Sequence, residues 1–316
     1  MTRLILAILL TACAWAQGGK PSPEVWIAPP GVDNGRSLRA MFEHPDEWAA
    51  TRAVTDVLFY TDLNFNKQFS DEELRVWFPR MREWNLKLGM EVGAIKEWSP
   101  EGAKTFAKEK PMWERIERLG GRIHAIAMDE PLVCAQRLKK TDEFAVEETA
   151  NYIEAVRRAY PRILIGDIET YPSIPVERHY WWIEALNKRL SERKVRGLDF
   201  YRLDVNWVVF SFQNRGNWQE VRKLEQYCRG KNLAFSLIYW AAGYPAFQKK
   251  GWAADDTWYS GIMQQGYDYA LLGGQPDQYV IESWVGAPSR ALPETGEFTF
   301  TRSVLDFVRK FVKPAH

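Results

Sequence analysis

Eight carboxylates stand at or near the ends of short β-rich runs: Asp62, Glu91, Asp129, Glu130, Asp167, Glu169, Asp204 and Glu282. Brought into one hollow, such groups can divide acid–base work, one protonated and donating to a leaving oxygen, another ionised and attacking or activating water. Aromatic side chains fall at the same places: Trp98, Tyr171, Trp207, Trp240 and Trp284, with Tyr239 just before Trp240. Their flat faces suit the apolar C–H side of a sugar ring. Arg202, two residues before Asp204, is a cation able to offset the repulsion within an acidic cluster. A single acid of this kind more often caps a helix or pairs with a base. The recurrence across the set is what points to a site.

These residues meet only if the runs that carry them are neighbours. β-rich runs alternate with longer helical patterns eight times, which calls for parallel strands joined by crossover helices. Strands are expected over 25–28, 57–60, 86–92, 122–128, 163–167, 198–203, 234–239 and 279–283, with helical segments between them such as 71–84, 141–160, 175–193 and 218–229, and a last helix over 299–312 that closes the ring. Eight is the strand number of an α/β (β/α)8 TIM barrel, whose chemistry sits at the C-terminal strand ends. Ser70 and Thr141 precede acidic first turns and are expected helix caps. An open doubly wound sheet would need a glycine-rich phosphate loop after an early strand, and none is visible; Gly120-Gly121 and Gly273-Gly274 read as turns. Leu88, Met90 and Val92 share the face opposite Glu91, so Glu91 is expected to point inward, and Asp204 lies in register with Arg202 and Asn206.

Composition narrows the partners. Lys plus Arg total 42 against 41 Asp plus Glu in 316 residues, so no basic excess favours nucleic acid or an anionic membrane, and a neutral carbohydrate fits better. Fifteen Trp and 13 Tyr against 4 His point to stacking surfaces rather than a histidine-rich metal centre, and no cofactor is expected. Asp62, Glu91 and Asp129 could offer oxygen ligands to a metal-dependent hydrolase, a weaker alternative; His124 is read as a core residue, with His44, His179 and His316 elsewhere. Residues 1–16 have the order of a secretory signal, cleaved after Ala16, although Leu10-Thr11-Ala12-Cys13 also fits a lipoprotein box with Cys13 acylated. Residues 17–316 are then one exported, monomeric barrel, secreted or periplasmic. Cys134, in a loop at the mouth, and Cys228, at the far end of a helix descending from it, are expected to stay unpaired thiols.

Ala127-Met128-Asp129-Glu130-Pro131 resembles the Asn-Glu-Pro signature of the cellulase-like clan of retaining barrel glycoside hydrolases. The resemblance implies that Glu130 is the acid/base. Two departures accompany it: Asp129 replaces the Asn expected to contact the sugar 2-hydroxyl, and the seventh strand ends in Tyr239-Trp240 where the clan's nucleophilic Glu is expected. Glu282, Glu169 and Asp204 are the contenders for the second acid. An Asp129–Asp204 pair would instead be similar to the α-glycosidase barrels. A non-catalytic carbohydrate-binding barrel is the rival function, since it would keep the tryptophans without needing an acid pair.

Overall fold

The structure, a computed structural model, describes residues 22–213, 215–241, 251 and 254–313. The expected leader over 1–16, Cys13 within it, and His316 lie outside the described residues. Eight strands form a closed parallel barrel in chain order: β1 (Glu24–Ala28), β2 (Val57–Thr61), β3 (Lys87–Val92), β4 (Ile123–Asp129), β5 (Leu164–Tyr171), β6 (Phe200–Val205), β7 (Ala234–Tyr239) and β8 (Gln278–Glu282). The ring shuts through β8 and β1, in register from Glu24 opposite Gln278 to Ala28 opposite Glu282. The crossovers carry α1 (Arg36–Glu43) and α2 (Ala49–Val54), α3 (Asp62–Gln68) and α4 (Asp71–Glu83), then α5 (Gly102–Arg118). They continue with α6 (Pro131–Arg137), α7 (Asp142–Ala159), α8 (Val176–Glu192), α9 (Trp207–Gln213), α10 (Trp218–Gly230), α11 (Asp255–Leu271) and α12 (Phe300–Phe307). The chain is a (β/α)8 TIM barrel.

Strand parity builds two apolar layers. Trp26, Val57, Phe59, Ala125, Ala127, Ile168, Phe200, Ile238 and Val280 point inward and fill the barrel. Val25, Ile27, Leu58, Met90, Ile126, Leu203 and Leu237 point outward and pack against the helices. Each large side chain removed from water contributes about 1.5–3 kcal/mol. The inner rings fit because small residues face them: a Cβ on Gly166 would lie 1.9 Å from the Phe200 ring, and one on Gly89 would lie 2.8 Å from Trp26.

The expected caps form. Ser70 accepts the Glu73 N–H while the Glu73 carboxylate accepts the Ser70 N–H, a closed capping box, and Thr141 accepts the Phe144 N–H. One strand departs from expectation. β5 runs to Tyr171 rather than stopping at 167, so Asp167, Glu169 and Tyr171 stand on its outward face with Ile165, while Gly166, Ile168 and Thr170 face in. Cys134 lies in α6 rather than in a loop, Cys228 lies in α10, and both are buried, free thiols. Among the described residues no helix is long and apolar enough to cross a membrane.

The N-terminal strand ends form the barrel's floor. Its surroundings carry exposed Arg82, Arg122, Arg158, Arg162, Lys194 and Arg196. Two open hollows of about 430 and 300 Å³ lie there, both touching Arg122 and His124. They are on the supporting face rather than the face where barrels do chemistry, so size does not locate the site.

Candidate active site at the barrel mouth

At the opposite end, the inward positions of four strands deliver carboxyls to one place. Glu91 is the last inward residue of β3, Asp129 that of β4, Asp204 that of β6 and Glu282 that of β8. Glu130 joins them from the first turn beyond β4. Its backbone has φ 50° and ψ 49°, a left-handed conformation costing a non-glycine residue about 1–2 kcal/mol. The turn is held because the Glu130 N–H donates to the Ile168 carbonyl at 3.0 Å and its own carbonyl accepts the Cys134 N–H at 2.8 Å. Pro131 then opens α6, where its missing N–H is no loss. Strain held by such anchors is a feature of functional turns.

The acids feel one another. Burial pushes the Glu91 carboxyl well above the usual range, and the Asp129 and Glu282 charges push it further. Burial raises Asp204 strongly, Glu130 adds to this, and the Trp240 indole N–H, donating to Asp204 Oδ1 at 2.6 Å, works the other way. Burial lifts Glu282 to about 7, against the pull of Arg202. Glu130 is raised by burial and by Asp129, with Arg137 at 3.1 Å and Lys96 opposing. Two cations complete the rim. Lys96 donates to the Asp129 carboxylate and, at 2.8 Å, to the Asp129 carbonyl, with Cys134 Sγ at 3.8 Å. Burial works against its ammonium, but the Asp129 charge outweighs that and holds its pKa above the usual lysine value.

Beside Glu91 and Glu282 is an open hollow of about 190 Å³, bounded by Ala28, Gly31, Phe59, Thr61, Asn64 and Trp284. Trp284 is 38% exposed and its ring lies 4.3 Å from that of Trp240, so the two indoles form one apolar wall over the acids. Trp98 is 47% exposed on the loop after β3, under the Lys108 ammonium. Trp207 opens α9 and packs near Phe212 and Gly261.

Other expected site residues are placed elsewhere, and parity is the reason. Glu169 faces the helices and accepts the Leu132 N–H at 2.6 Å, capping α6, so it does not join the mouth acids. Asp167, on the same outward face, accepts the Trp182 indole N–H at 2.6 Å. Tyr171 donates to Glu220 and is buried. Tyr239 is buried against Tyr279 and Phe307. Asp62 is buried under the β2 end, accepting from the Trp113 indole, and is raised to about 6 by burial. It therefore does not converge with Glu91 and Asp129 on a shared cation. Lys96, on the loop after β3, and Asn64 and Arg137, on the seven-residue helices α3 and α6, were not singled out from the sequence, because neither a loop nor so short a helix carries a periodicity that fixes where a side chain points.

No family model matches the chain, and no curated protein matches it. Among solved structures it is similar to native xylanase 10C from Cellvibrio japonicus, at 11% identity over 92% of this chain and 66% of that chain, with a TM-score of 0.54. It is also similar to fungal β-1,4-galactanases, at 9% identity over 90% of this chain and 99% of that one, with a TM-score of 0.53. An aldo/keto reductase from Brucella melitensis aligns at 11% identity over 90% and 87% of the chains, with a TM-score of 0.47. At these identities the likeness shows the fold alone.

Proposed function

We propose that the protein is an exported, monomeric glycoside hydrolase that cleaves a glycosidic bond with Glu130 and Glu282. The observation that carries this is the convergence of Glu91, Asp129, Glu130, Asp204 and Glu282 beneath the Trp240–Trp284 wall. Glycoside hydrolysis needs one protonated and one ionised carboxyl, and environments that push two acids apart supply that split. The motif resemblance would give the proton to Glu130. The electrostatics favour the reverse: Arg137 and Lys96 oppose the rise at Glu130, whereas burial lifts Glu282 to about 7. Protonated Glu282 then donates to the leaving oxygen, and ionised Glu130 attacks the anomeric carbon or activates water.

The test begins with reducing-end release from a panel of polysaccharides and aryl glycosides. Glu282→Gln is expected to abolish cleavage of alkyl-type leaving groups yet spare dinitrophenyl glycosides, which depart without a proton. Glu130→Gln is expected to lose both by about 10²–10⁴-fold. Selective loss in the opposite pattern would return the proton to Glu130. One observation favours a non-catalytic carbohydrate binder: Lys96 and Arg137 occupy Asp129 and Glu130. Glycan binding by calorimetry with no cleavage across the panel would select that reading.

A further inference from the structure

Arg202 is the largest charged side chain enclosed by the barrel, and its exposure is zero. Its guanidinium lies over three aromatic rings, 4.3 Å from Trp26, 4.5 Å from Phe59 and 5.1 Å from Phe200. Nε donates to Ser236 at 2.8 Å and Nη2 to Gln278 at 3.3 Å, while Nη1 has no partner. A buried cation held only by neutral groups is costly unless charges nearby compensate it. Strand register says where they are. Trp26 and Phe59 stand one inward step below Ala28 and Thr61, whose neighbours across the ladders are Glu282 and Glu91. One oxygen of Glu282 is also buried without a partner. Gly89 makes the arrangement fit, since a Cβ there would strike Trp26.

We propose that Arg202 is a positioning residue: fixed one layer under the mouth, its charge singles out Glu282 as the carboxyl that exchanges a proton with the reaction. The charged groups facing Glu282 are Glu91 from β3, Asp129 from β4 and Arg202 and Asp204 from β6. Ala28, Phe59 and Trp240 bring none from β1, β2 and β7. Three of the four are acids that drive a proton onto Glu282; Arg202 is the one group that holds it within reach of release. Glu282 is also the acid that acts most strongly on Arg202, ahead of Glu91. Without the guanidinium, Glu282 would stay protonated and could not cycle.

The word reaction rests on the hydrolase reading, but the ionisation does not, so the decisive measurement needs no turnover. Full-length protein with [5-¹³C]glutamate is titrated by NMR, with the Glu282 signal assigned by its loss in Glu282→Gln. Native Glu282 is expected to titrate below Glu91. Arg202→Gln is expected to move the Glu282 midpoint up by about one to three pH units, the range for loss of a close opposite charge, and Arg202→Lys to restore most of the shift. If Arg202→Gln does not fold, the order of Glu282 and Glu91 in native protein and the Arg202→Lys midpoint still decide. An unmoved midpoint in a folded variant, or native Glu282 titrating above Glu91, overturns the proposal. Where a substrate is cleaved, the alkaline limb of kcat/KM should shift with the midpoint; a shifted midpoint without any cleavage would retire the hydrolase reading and leave Arg202 in place.

Discussion

Asp204 shows how much one residue's role depends on a neighbour 36 residues away along the chain. Its Oδ1 accepts the Trp240 indole N–H, so the tryptophan just beyond β7 both walls the hollow and orients an acid. Trp240→Phe keeps the apolar face and removes the donor. It should lower stability by about 1–3 kcal/mol, the cost of leaving a buried acceptor unmet, read from urea unfolding. It should also weaken glycan binding less than Trp240→Ala. A second prediction concerns pH. In the proposed mechanism Glu282 donates only when protonated, which predicts activity below its midpoint that falls as pH rises through about 7, with the lower limb set by ionisation of Glu130. An alkaline limb unmoved in Glu282→Asp would argue for another donor. The acids at the strand ends were readable one by one, and Glu91 does face inward as the alternation of Leu88, Met90 and Val92 required. Lys96 was not, since nothing in Gly93-Ala94-Ile95-Lys96 says that the loop folds back onto Asp129.

At the scale of elements, β5 explains the largest gap between sequence and structure. Its outward face reads Ile165, Asp167, Glu169, Tyr171, and two acids there look like the end of a strand rather than its continuation. They are tolerated because α6 and α8 bring N–H donors to them. A similar device fastens β3: Glu109 of α5 accepts the Gly93 N–H at 2.7 Å and the Tyr152 hydroxyl of α7 at 2.5 Å. Burial, aided by nearby Asp62, raises Glu109 to about 8. The folded state thus binds a proton that the unfolded chain releases above about 4.3. The stabilisation is fully present below that value and is lost as pH rises through about 8. Glu109→Gln should therefore flatten the fall in Tm between pH 5 and 9, measured by calorimetry; a slope equal to the native one would exclude Glu109 as its source. Packing of α5 gives another test. A Cβ on Gly102 would lie 1.9 Å from the Glu148 carbonyl oxygen of α7, so Gly102→Ala must push two backbones apart. The expected loss is about 1–3 kcal/mol or more.

For the molecule as a whole, the eightfold alternation was legible because every crossover returns an apolar strand to the same ring, and strand boundaries fell within a few residues of the observed ones except at β5. The short helices α6 and α9 were not, being only seven residues each and without a periodic face. With Cys134 and Cys228 free and buried, the fold owes nothing to a cross-link. Reductant should leave Tm unchanged, and both thiols should react with a bulky disulfide reagent only after unfolding; rapid reaction in the native state would show the burial to be wrong. Finally, exposed Arg82, Arg122, Arg158, Arg162, Lys194 and Arg196 stand around the floor with exposed Glu83, Glu117 and Glu192 among them. Charges of both signs interspersed this closely cancel at a distance, so the field that the floor projects into solution reaches no further than the ~8 Å Debye length of physiological salt.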